Sequence, residues 1–246
     1  MDKKILHKWI ARTHKWVGLI LGLQLLAWTA GGVVMTWMPI DEVRGRHNAT
    51  EQEPVAMGTV GESLLPMSDL MALVGKPITR ATYHTLLGKP VVQVSLMDGT
   101  TELWHAAEGK RLSPLSETLA TDIAVADFAP EAAIVGVNYI EAPVLDFRGP
   151  FPAWQVTFSD AENTNIYVSA TNGRVVARRT DRWRLFDFFW MLHIMDYDER
   201  EDINNPLLIT TAGCALVFAL SGFFLLFFRF YRRDFNFILG RRKREA

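Results

Sequence analysis

The sequence predicts an α+β protein in which two transmembrane helices flank an extracytoplasmic α/β domain. Three observations predict it. Two long stretches, Trp16 to Ile40 and Ile203 to Phe228, carry no charged residue. The segment between them mixes helical spacing with hairpin signals. Charge is also unevenly spread: the 246-residue chain nets −1, yet residues 1–15 and 229–246 together carry +9 while 39–205 carry −10. Each apolar run exceeds the roughly 20 residues that cross a hydrocarbon core of about 30 Å. Basic flanks stay on the cytoplasmic side, so both termini are expected inside and the middle outside.

The expected organisation is a basic cytoplasmic tail (1–15), a first span (16–40), an outer α+β domain (41–181), an interfacial aromatic helix with an acidic loop (182–202), a second span (203–228) and a second basic tail (229–246). A cleaved signal peptide is the rival reading of the start, because Lys3, Lys4, Lys8, Arg12 and Lys15 suit it. Its apolar core, however, is normally about 7–15 residues, and this one is far longer. Trp16 and Trp37 near the ends of the run also favour a membrane helix over a buried helix of a soluble protein. One cysteine excludes an intrachain disulfide, a redox Cys pair, a zinc ribbon and the attachment of a c-type haem. Nucleic acid is not an expected partner, since topology accounts for the basic tails and the large middle segment is acidic.

Within that middle, Asp41 to Met57 is polar and reads as an irregular linker. Glu62 to Val74 has helical spacing. Strand-like runs follow at Arg80 to Leu87, Val91 to Met97 and Thr101 to Ala106, with turns expected at Gly88-Lys89-Pro90 and Asp98-Gly99. A second helix is expected over Leu115 to Phe128, then strands at Ile134 to Ile140, Ala153 to Ser159, Asn165 to Ser169 and Arg174 to Arg179, with Asn172-Gly173 as a hairpin turn. One helix followed by an antiparallel meander is thus used roughly twice, an α+β layering.

Six histidines are present. On a helix, His7 and His14 share a face with Gly18, Leu21, Gly22, Leu25, Trp28 and Gly32. An imidazole followed by missing side chains suits a flat macrocycle, which needs an iron ligand and room against the backbone. The plainer reading is that Gly18 and Gly22 let two helices approach and that His14 is an interfacial residue. His193 falls on an aromatic stripe with Trp183, Phe186, Trp190 and Tyr197; it reads either as an outer iron ligand or as part of an ordinary interfacial helix. If His14 opens the first span and His193 precedes the second, they lie about 30 Å apart and cannot share an iron. Asp196, Asp198, Glu199, Glu201 and Asp202 form an acidic run after His193, either a surface attracting a hard metal ion or a solvated loop. His84 and His105 read as sheet residues, His47 as a solvated linker residue and Cys214 as a small buried packing residue. Gln24, Thr29, Thr210 and Thr211 either line a quinol pocket or bond between helices. No nucleotide-binding or hydrolase motif is present.

The run YVSATNGRVVARRTDRWRLFDFFWMLHIMDY at 167–197, with RTHKWVGLILGLQ at 12–24 and LSGFFLLFFR at 220–229, resembles the PepSY-associated transmembrane proteins of bacteria. The resemblance implies a PepSY-like outer domain in the periplasm and a multi-pass protein of the inner membrane. The family includes haem-b reductases of ferric iron or iron-siderophore complexes, in which histidines of membrane helices hold the haem. By this resemblance the iron ligands would be His14 and His193, with His7 in reserve. The larger members have four membrane helices where this chain has two, and a homodimer would restore four. The electron source would be a membrane quinol or a cytoplasmic donor, and the acceptor ferric iron or a ferric chelate. Alternatives are a cofactor-free PepSY binding or regulatory module, or an accessory subunit of an iron transporter.

Overall fold

The computed structural model describes residues 3–50 and 63–229, without the side chains of 3–11, 13, 14, 221 and 224–229. It divides into two compact units, residues 38–186 and a unit made of 1–37 with 187–246. The fold is mixed helix and antiparallel sheet and, among the described residues, one N-terminal helix is long and apolar enough to cross a membrane.

In the 38–186 unit, helix α3 (Met67–Val74) leads into a sheet of β1 (Ile78–Leu86), β2 (Lys89–Leu96) and β3 (Thr101–His105), in the order β1-β2-β3. Helix α4 (Glu117–Asp127) leads into a second sheet of β4 (Ile134–Ile140), β5 (Ala153–Phe158), β6 (Asn165–Ser169) and β7 (Val175–Arg179), in the order β4-β5-β6-β7. All neighbouring strands are antiparallel. The helix-then-meander pattern therefore occurs twice, the second time with four strands.

Alternation along β2 explains how the layers stack. Val92, Val94 and Leu96 cluster with Leu70 of α3, while Val91 and Leu103 join the opposite cluster. That second cluster contains Ala120, Ile123 and Ala124 of α4 together with Val156, Phe158, Ile166 and Val168 of the second sheet. Helix α4 is thus the filling between two sheets. Ser116 caps it, its hydroxyl accepting the Leu119 N–H at 3.3 Å. On the far face of the second sheet, Phe147 stacks on Tyr167 with centroids 4.3 Å apart.

Two expectations are corrected here. The first hairpin turns at Leu87-Gly88, both at positive φ (50° and 76°), and Lys89 and Pro90 belong to β2. The linker is structured over its described part. Helix α2 (Ile40–Val43) and a 3-10 turn at Arg46–Asn48 dock on the domain, burying Val43. Ala49 pairs with Phe128, and the Thr50 N–H donates to the Asp127 carbonyl at 2.7 Å. Residues 51–57 of the expected linker, and Glu62 of the first expected helix, lie outside the described residues.

Arginines fasten this part of the unit. Arg178 of β7 grips both carboxylate oxygens of Asp127, and Arg182 reaches Glu42 of α2 and Glu162. Arg184 bonds Asp146 at 2.7 Å and Asp181 at 2.8 Å. Arg182 and Arg184 lie in the first turns of helix α5 (Asp181–Ile194), which begins in this unit and ends in the other.

The other unit contains α1 (Lys3–Trp37), the end of α5, and α6 (Pro206–Arg229). Its seam is made of small or removed side chains. A Cβ on Gly18 would lie 2.9 Å from Cζ of Phe218, so a larger residue there would push that ring aside. Leu21 and Ala215 are buried nearby along the same two helices.

Candidate functional site

The α1 face expected to receive a macrocycle behaves in two ways. At Gly18 the space is filled by Phe218 of α6, which makes it a helix–helix contact. At Gly22 and Gly32 an added Cβ would meet nothing within 4 Å. The side chains of His7 and His14 lie outside the described residues. Thr29 spends its hydroxyl on the Leu25 carbonyl at 2.8 Å, within its own helix. Cys214 is exposed, which corrects its expected burial: the next residue, Ala215, holds the buried position on α6.

His193, on the last turn of α5, meets Trp28 of α1. Their ring centroids are 6.1 Å apart and tilted by 49°. Nδ1 of His193 and Nε1 of Trp28 are both buried with no hydrogen-bond partner. A buried polar atom left unsatisfied costs about 1–3 kcal/mol, so a ligand that reached either nitrogen of this ring pair would be stabilising. Close approach of α5 to α1 is helped by Gly31, whose Cβ position lies 3.6 Å from the Phe189 ring. The pairs Gly31–Phe189 and Trp28–His193 show α5 running antiparallel to α1. Fourteen residues of helix separate His14 from Trp28, about 21 Å at 1.5 Å per residue. His193 therefore lies nearer to the level of His14 than the expected 30 Å, and the two still cannot share an iron.

Four members of the expected aromatic stripe, Trp183, Phe186, Trp190 and His193, lie on α5, and the fifth does not. Trp183 lies under the Arg179 guanidinium at 4.1 Å, and Trp190 donates from Nε1 to the Arg200 carbonyl at 3.2 Å. Tyr197 is beyond the end of α5 and exposed. Asp187, buried on α5, pairs with Arg200 at 2.6 Å and holds the following loop against the helix.

That loop contains the acidic run. Asp196 turns both oxygens inward: Oδ1 accepts the N–H groups of Asp198 and Glu199, and Oδ2 those of Glu201 and Asp202, at 2.9–3.3 Å. Backbone hydrogen bonds, led by the one from Asp202, hold its carboxyl below the usual range. Asp202 in turn accepts the Asn204 N–H at 2.8 Å. Asp198, Glu199, Glu201 and Asp202 are exposed. Among the described residues, no three His, Cys, Asp or Glu side chains converge on a point that could hold a metal ion. Asn205 closes the loop, donating to the Ile194 carbonyl at 2.9 Å and capping α6 through the Leu208 N–H at 2.8 Å.

In the 38–186 unit, His47 is not simply solvated: Nε2 is 2.9 Å from Glu162, which Arg182 and Asn48 also contact. His105 is buried and its Nδ1 accepts the Glu108 N–H at 3.2 Å. His84 has a buried Nδ1 without a partner, and burial, followed by the charge of Arg174, lowers its pKa despite a backbone hydrogen bond at Thr82.

Sequence reasoning placed Trp28 on the His14 face but did not pair it with His193. Nothing local encodes that pairing, because it depends on the register between two helices. The fit of the site to a haem rests on the His193 imidazole, a nitrogen ligand with an orphaned buried atom, and on the open backbone at Gly32, one turn beyond Trp28. Among known proteins, the family model of the PepSY-associated TM region matches residues 11–246, and the chain belongs to that family. No curated protein and no solved structure gave a match.

Proposed function

From membership of the PepSY-associated TM family, we propose that this chain is a multi-pass protein of the bacterial inner membrane that carries haem b and passes electrons to ferric iron or a ferric chelate on the periplasmic side. The observation that carries this reading is the His193 imidazole at the junction of α5 and α1, whose buried Nδ1 has no hydrogen-bond partner. Haem b would supply a one-electron ferric–ferrous couple. His193 would hold it on the outer side through Nε2, together with His193 of a second copy of the chain. His14, or His7, would do the same near the cytoplasmic end. The residues around the haem would bind and orient it. Trp28 walls the site beside His193, and Gly22 and Gly32 leave the backbone of α1 accessible. Asp198, Glu199, Glu201 and Asp202, exposed on the loop after α5, would draw cationic iron to the same end of α5.

The test is a visible absorption spectrum of the full chain purified in detergent, as isolated and after reduction. A Soret band, with α and β bands that sharpen on reduction and weaken in His193→Ala and in His14→Ala, is expected. A colourless protein from haem-replete cells would overturn the reading and leave a PepSY binding module in its place.

A further inference from the structure

We propose that Trp28 and His193 form a two-point clamp for the headgroup of a lipid-soluble quinone or quinol. An indole N–H can only donate, and an imidazole nitrogen donates or accepts. The group that satisfies both must therefore carry an oxygen that takes a hydrogen bond from Trp28 Nε1. A quinone carbonyl accepts from Trp28 and from a proton on His193 Nδ1. A quinol hydroxyl accepts from Trp28 and also has a proton to give to an unprotonated His193 Nδ1. The chain's own nearby groups are engaged elsewhere. Thr29 is bonded to Leu25, and Asp187 and Arg200 are bonded to each other.

The position suits a ligand that arrives from the bilayer with a polar head. Trp28 and His193 lie where the acidic loop begins, just beyond the end of α5. Asn205, at the start of α6, reaches back to Ile194, so the polar loop and the apolar helices meet at this level. Gly32, one turn from Trp28, leaves open space on that side of α1. Leu25, Leu26 and Val33 around it are exposed apolar surface, which a ring and an isoprenoid tail would cover. As an electron source for the haem, this quinol rests on the reading above, in which His193 would hold the iron through Nε2 and leave Nδ1 to the quinol; as a binding site it stands on Trp28 and His193 alone.

The test is photolabelling of the full chain in native membranes with an azido-substituted ubiquinone analogue, with the labelled peptides identified by mass spectrometry. Label is expected on the peptides bearing Trp28 and His193, suppressed by excess decylubiquinone but not by added phospholipid. Trp28→Phe keeps an aromatic ring and removes the indole N–H, so competitor affinity should fall about three- to tenfold. Trp37→Phe, on the exposed end of α1, serves as the control and should not change it. Unchanged affinity in Trp28→Phe, or label that phospholipid displaces equally well, would overturn the proposal and assign the two nitrogens to water or a lipid headgroup. A colourless protein that is still labelled would sink the haem reading alone, and a red protein that is not labelled would sink this one alone.

Discussion

Asp127→Ala should be among the most damaging single changes in the 38–186 unit, although it touches no candidate ligand. Asp127 ends α4 with 7% of its surface exposed, and Arg178 of β7 holds both its oxygens, Nε to Oδ2 at 2.6 Å. Removing one partner from a buried ion pair costs about 3–5 kcal/mol, because the remaining charge is stranded. The Arg178 side chain keeps 22% exposure, so water recovers part of that, and about 2–3 kcal/mol is expected. For a unit of this size each kcal/mol lowers Tm by about 2–4 °C, a fall of roughly 6–9 °C at the middle of that range. The assay is thermal unfolding of the detergent-purified full chain, followed by near-ultraviolet circular dichroism. Combining Asp127→Ala with Arg178→Met removes the stranded charge, so the double variant should melt above the sum of the two single effects. An Asp127→Ala protein that melts within about 1 °C of the parent would refute the reasoning and place this pair with surface salt bridges, whose median worth is about 0–1 kcal/mol.

Two further perturbations probe the same unit. Gly45 and Gly75 have nearly the same left-handed φ, +66° and +65°, but a Cβ at Gly45 would lie 2.8 Å from the Arg178 Cβ whereas one at Gly75 would meet nothing within 4 Å. Gly75→Ala should therefore cost about 1–2 kcal/mol for the backbone alone, and Gly45→Ala measurably more in the same melt; equal losses would show that α2 and its turn are not seated against β7. The Tyr167 phenol is pushed up to about 12, first by burial and then by the charge of Asp146, from an ordinary 10.0. A raised value favours the protonated form in the fold, so this contribution is complete below pH 10 and is lost as pH rises from 10 through 12. Ultraviolet titration should show one of the five tyrosines ionising late and joining the others after unfolding; five tyrosines ionising together in the folded chain would contradict it.

The elements that local chemistry specifies were legible. Strands β4 and β6 lie where the sequence placed them, because Pro130 and Pro143 bound the first run, Asn163 and Asn172-Gly173 bound the second, and β-branched residues recur in both. The first hairpin was misplaced because Pro90 reads as a strand breaker. Pro90 instead sits at the start of β2, where its carbonyl still accepts the Ala106 N–H at 2.9 Å. The docking of α2 was illegible for a different reason. Four residues are too few to show a period, and the partner that fixes Glu42 is Arg182, far along the chain. At the site, His193 was readable as a candidate, but its helix was expected to continue to Tyr197. Asp196 captures four backbone N–H groups just after Met195 leaves the helix at φ +53°. An Asp followed closely by several polar residues is the signal for such a turn. The pairing of Trp28 with His193 had no local signal, since it follows from α5 packing on α1 through Gly31.

Depth along α1 ties the site to the membrane. His193 marks the level of Trp28, and Asn205, bonded to the neighbouring Ile194, starts α6 at nearly that level. Phe218 then meets Gly18. From Trp28 to Gly18 the rise is about 15 Å, and from Pro206 to Phe218 about 18 Å, so the two descents agree and α6 runs beside the inner part of α1 only. The last nine residues of α1, up to Trp37, rise about 13 Å beyond the start of α6, with α5 at Gly31 as their neighbour there. Asp198, Glu199, Glu201 and Asp202 cannot enter hydrocarbon at modest cost. Under the proposed topology the acidic loop therefore needs water or lipid headgroups at the level where α6 begins, close to Trp28 and His193 and within the span from Lys15 to Trp37. The two orphaned nitrogens then lie close to that polar level, where a ligand's polar head remains near water while its ring and tail stay in the bilayer.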